Sequence, residues 1–181
     1  MNIPEESYKK FKKDFENIIE PVYNNNREII FFCIGTDKYP GDSIGPEIGT
    51  ILYEKLFVPN TFVYGTNTST VNNINFKKKY AAIKKAYPNS FIICIDACMG
   101  NKEKLNKISI IDGIKPRAAL GDLNNKIGDI GIIINNLIEC EIPMLAIKNY
   151  PRQDAKLLAN KTAEIIIDSM VKLFKRKEEI K

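Results

Sequence analysis

The sequence contains no histidine. That absence removes Ser-His and Cys-His nucleophilic catalysis, and with them every metal site built on imidazole. Long apolar runs are missing too. No stretch approaches the ~18 residues that a membrane-spanning helix requires, and the opening MNIPEESYKKFKKDF has no apolar signal core. A cytoplasmic protein is expected, with no membrane partner. Cysteine is sparse: Cys33, Cys94, Cys98 and Cys140. Cys94 and Cys98 form a C-x3-C pair, but no second pair completes a zinc site. Cys33 and Cys94 sit inside apolar runs and read as reduced core thiols. Arginine is scarce. The net charge of +5 comes from lysines interleaved with acids, as in YKKFKKDF and FKKKYAAIKKAY. Such runs read as solvated helix faces and do not favour a nucleic-acid partner.

What is present is an ordinary globular balance, 44% hydrophobic and 27% charged over 181 residues. That is enough for a single domain, residues 1–181, with residues 1–24 as an N-terminal helical extension. Residues 4–21 carry Tyr8, Phe11, Phe15 and Ile18/Ile19 on one helical stripe. Strands are expected at 28–34, 61–66, 90–97 and 106–113, and late strands at IGIIIN and PMLAIKN. Helices are expected over GPEIGTILYEKLF with Pro46 in its first turn, over INFKKKYAAIKKAY and from 151 to about 176. The fourth strand follows the third by a connection of about eight residues, too short for a comfortable crossover helix, so an antiparallel neighbour is expected. Alternating strands and helices predict a three-layer α/β/α domain with a mostly parallel mixed sheet. Right-handed crossovers put the second and third strands on opposite sides of the first. The gap between strands one and three is then a topological switch point, where ligands bind beyond the strands' carboxyl ends.

The loop GTDKYPGDSIGP, residues 35–46, leaves the first strand toward this gap. It imitates a phosphate-binding loop, but its glycine spacer is one residue too long. Asp42 also stands where such loops carry lysine, and a carboxylate repels phosphate. Asp96, in IICIDACMG, ends the third strand. If both acids face one desolvated crevice, they can share a proton and act as acid and base. Alternatively they hold a cation with Asp37 and Asp129, or Asp42 caps the following helix and Asp96 caps a turn. Cys98 is a candidate nucleophile that lacks a histidine to activate it.

The motifs CIGTDKYPGDSIGP, VYGT, ICIDACMG, IKP and GD resemble those of the YyaC family of sporulation proteins. That family is similar to the spore germination protease and, more distantly, to hydrogenase maturation endopeptidases. The resemblance covers about residues 28–170. It implies a HybD-like, phosphorylase/hydrolase-like fold with a mixed five-stranded sheet. It also implies a sporulation-associated peptidase acting on a peptide or protein substrate through an aspartate dyad, Asp42 and Asp96, without cofactor or metal. Gly35, Thr36, Asp37 and Gly41 would line the substrate, the glycines and Thr36 offering N–H donors. Lys115, Arg117 and Asp129 would shape the cleft. The hydrogenase enzymes' nickel-recognising histidine has no counterpart in this chain. The chain is also much shorter than the germination protease, so that enzyme's substrate does not carry over. The competing reading is a non-catalytic cation- or peptide-binding sporulation protein that keeps the crevice.

Overall fold

The computed structural model describes residues 1–115 and 126–179. In chain order the elements are α1 (Glu5–Asn24), β1 (Ile29–Cys33), α2 (Ile44–Lys55), β2 (Thr61–Tyr64), α3 (Phe76–Ala86), β3 (Phe91–Gly100), β4 (Ile108–Ile111), β5 (Ile130–Ile138), α4 (Pro143–Asn149) and α5 (Arg152–Glu179). A short 3-10 turn, Pro40–Asp42, lies between β1 and α2. The five strands form one sheet in the order β2-β1-β3-β5-β4. Every pairing is parallel except β4 with β5.

The strands are apolar on both faces because both faces are covered. Ile29, Phe31, Cys33, Ile93 and Ile95 point to the larger core, which α1, α2 and α5 complete with Phe15, Ile48, Leu52, Ile166 and Met170. Ile30, Phe32, Ile92 and Cys94 point to a smaller core with Phe76 and Ile83 of α3. There Phe32 meets Phe76 and Tyr80 edge-on, with ring centroids 5.5 and 5.6 Å apart. This is the expected three-layer α/β/α arrangement, and β2 and β3 flank β1 on opposite sides as the crossover rule requires.

Two expectations are corrected. PMLAIKN is not a strand but helix α4. Pro143 takes the first helical position, where its missing N–H costs nothing, and Met, Leu and Ala are good helix formers. The N-terminal segment is not an extension, since Tyr8, Phe11, Phe15 and Ile19 of α1 are almost wholly buried in the main core. Ser7 also ties α1 to the sheet. Its hydroxyl accepts from the Ile108 N–H at 3.0 Å and donates to the Ile108 carbonyl at 2.9 Å, occupying part of the outer edge of β4. No helix among the described residues is long and apolar enough to cross a membrane.

Candidate active site

Beyond the carboxyl end of β1, alongside residues 96–99 of β3, lies a crevice of about 480 Å³. Gly35, Thr36, Asp37, Gly41, Asp42 and Asp96 all line it. Asp42 comes from the turn after β1. Asp96 comes from β3, which runs on to Gly100 and pairs at Asp96 with Ile133 of β5. Both acids are half-buried. Burial pushes the Asp42 carboxyl up from 3.8 to about 6, opposed in part by the backbone N–H of Thr36. Apolar walls come from Leu137 of β5, Met144 and Ile147 of α4, and Ile74 ahead of α3.

Gly35 makes the loop possible. Its φ is +141°, and a Cβ there would sit 2.2 Å from the Asp42 carbonyl oxygen and 2.9 Å from Pro46 Cδ. The absent side chain lets the loop fold back, so that the Thr36 N–H donates to the Asp42 carbonyl at 2.9 Å. Gly41 is equally confined, because a Cβ would meet Ile147 Cα and its carbonyl oxygen, each at 2.9 Å. The start of α2 has no side-chain cap, and the Ser43 hydroxyl turns back to the Pro40 carbonyl instead. Asp42 therefore does not cap α2.

Several expected roles move. The N–H groups of Gly35 and Thr36 are already donated, to the carbonyls of Val71 and Asp42, so they are not open donors for a substrate. Asp129 lies outside the crevice. Its carboxylate accepts from the Ile92 N–H at 2.8 Å and lies 3.8 Å from Arg27. That contact is four residues before Asp96 on β3, about 13 Å away along a strand. Asp129 thus fastens the opposite end of the sheet. Lys115 is exposed and lines a second, larger hollow of about 1220 Å³ that runs toward α1 and β4 and shares Asp96, Cys98 and Met99 with the crevice. Arg117 lies outside the described residues. The Cys98 thiol donates to Asn135 Oδ1 at 3.2 Å, and none of the four cysteines is in a disulfide. Among the described residues no three acidic or cysteine side chains converge to hold a metal ion.

Asn136 was not foreseen. It is 2% exposed, lines the crevice, and donates from Nδ2 to the Gly41 carbonyl at 2.8 Å across 95 residues of sequence. The signal available was the polar pair Asn135–Asn136 interrupting an apolar strand toward its carboxyl end, the side where ligands bind.

A family described as a protein of unknown function (DUF1256) matches residues 2–149. The chain belongs to that family. A protein of Bacillus subtilis (strain 168), described as the uncharacterized protein YyaC, is 36% identical to it over 107 residues, which are 59% of this chain and 52% of that protein. The chain thus spans about half the length of this relative. Among solved structures, the [NiFe] hydrogenase maturation protease HycI from Thermococcus kodakarensis KOD1 superposes with a TM-score of 0.50 at 18% identity, covering 82% of this chain and 98% of that one. At that identity the likeness concerns the fold alone.

Proposed function

We propose that the chain is a peptidase in which Asp42 and Asp96 act as an acid/base pair on an extended polypeptide. The observation that carries this reading is their common crevice, in which burial holds one carboxyl well above its ordinary range. Asp42 suits the role of the proton-bearing partner. Asp96, as the base, takes a proton from water, and the water oxygen attacks the scissile carbonyl carbon. The C–N bond breaks as the leaving nitrogen takes the proton from Asp42. The apolar walls formed by Ile74, Leu137, Met144 and Ile147 suit apolar side chains beside the scissile bond. A role in spore formation, in the cytoplasm, follows from the likeness of the motifs to sporulation proteins and is part of the same proposal. The fold itself carries no activity.

The test is incubation with a proteome-derived peptide library, reading new termini by mass spectrometry. Wild type is expected to cut beside apolar residues. Asp42→Asn and Asp96→Asn are each expected to slow cutting by at least roughly a hundredfold, the scale of a lost general acid or base. Equal cutting by both variants overturns the proposal. Binding without cutting by wild type would support the competing reading, a peptide-binding protein that has kept the crevice.

A further inference from the structure

We propose that Asn136 is the positioning residue of the crevice: through the Gly41 carbonyl, its side-chain amide holds the Pro40–Asp42 turn so that Asp42 stays in the space it shares with Asp96. Three observations converge. In the pairing of β3 with β5, Cys98 lies opposite Asn135 and the next residue, Met99, opposite Leu137. Asn136 is therefore the extra residue of a bulge, uncommon in a parallel pair, and a bulge is a device for re-aiming a side chain. The amide so aimed meets the Gly41 carbonyl at 2.8 Å in a buried setting, where a carbonyl left without its partner is costly. The turn is also gripped from the other side. Ile147 of α4 occupies the space where a Gly41 side chain would be, and Leu137, next to Asn136, touches the same point at 3.1 Å. The acid-bearing turn is thus clamped between the end of β5 and α4. β5 also pairs directly with the strand carrying Asp96, in regular register at Ile133 before the bulge, so one strand supports both acids. The inference concerns where the Asp42 carboxyl sits, so it stands or falls separately from the hydrolytic reading.

The experiment follows the Asp42 carboxyl carbon by NMR in protein labelled at aspartate, together with thermal unfolding. Asp37, Lys38, Tyr39, Asp96 and Cys98 line the same crevice and are the other groups whose titration the carboxyl could sense. The wild-type midpoint is expected near 6. Asn136→Ala removes the donor without adding apolar bulk. Its released turn should admit water, lowering the midpoint by about one pH unit toward the ordinary aspartate range. Ile166→Val, a destabilising change in the distant core of α5, should lower the melting temperature and leave the midpoint in place. A folded Asn136→Ala protein that keeps the wild-type midpoint overturns the proposal. Should Asn136→Ala fail to fold, Asn136→Ser and the wild-type Asn136 Nδ2 protons decide. Exchange of those protons slowed by at least roughly tenfold relative to an exposed asparagine is the expected result, and free exchange overturns the assignment.

Discussion

At the scale of single residues, the fold places Asp42 where its charged form is disfavoured. An aspartate in the unfolded chain ionises near 3.8, and the native one near 6. Between those pH values unfolding releases a proton, so rising pH weakens the native state, by roughly 3 kcal/mol in all once the native carboxyl has ionised. Asp42→Asn should therefore be more stable than wild type at pH 7, with the gap narrowing toward pH 4. Denaturant unfolding at several pH values measures this, and a gap that does not change with pH contradicts the burial argument. Asp42 and Asp96 were legible in the sequence because one follows a buried apolar run by a short loop and the other interrupts such a run, and there a carboxylate is conspicuous, although β3 continues past Asp96 to Gly100. Asp129 was equally conspicuous yet sits at the other end of β3, since a residue's position relative to its own strand does not say which end of a neighbour it meets. Asn136 was illegible for a sharper reason. Its aim depends on a register shift between two strands, and register is a property of the pair.

At the scale of elements, apolar periodicity identified all five strands and most helices, because two-sided burial leaves continuous apolar runs. It failed on PMLAIKN, where apolarity reflects a place on the rim of the crevice. No residue of α4 is fully buried, and Met144 and Leu145 are each about half exposed. The short connection before β4 did signal an antiparallel partner, but that partner is β5, which comes later in the chain. The edge strand β4 is partly closed by Ser7 from α1, whose hydroxyl makes both outward bonds of Ile108. Ser7→Ala should leave that N–H and carbonyl without their partner, cost about 1–2 kcal/mol, and speed hydrogen exchange at Ile108. Exchange and stability unchanged from wild type would show that the edge is closed by other means.

At the scale of the whole molecule, α1 belongs to the core that the sheet needs on one face. Tyr8, Phe11, Phe15 and Ile19 are together worth on the order of 10 kcal/mol of burial, comparable to the entire net stability of a domain. A chain beginning at residue 25 should therefore lack cooperative unfolding and expose apolar surface, read by circular dichroism and dye binding. A truncated protein that melts as sharply as wild type would contradict this. The strands, the helical stripe of α1, the three-layer class and the two acids followed from sequence alone, because they depend on local periodicity and on short-range chain geometry. Only the tertiary structure decided that α1 is core, that 143–149 is a helix at the rim, that Asp129 lies away from Asp96, and that Asn136 holds the turn carrying Asp42. Each of those rests on which distant segments touch, and a linear pattern of apolar and polar residues does not encode contact across 95 positions.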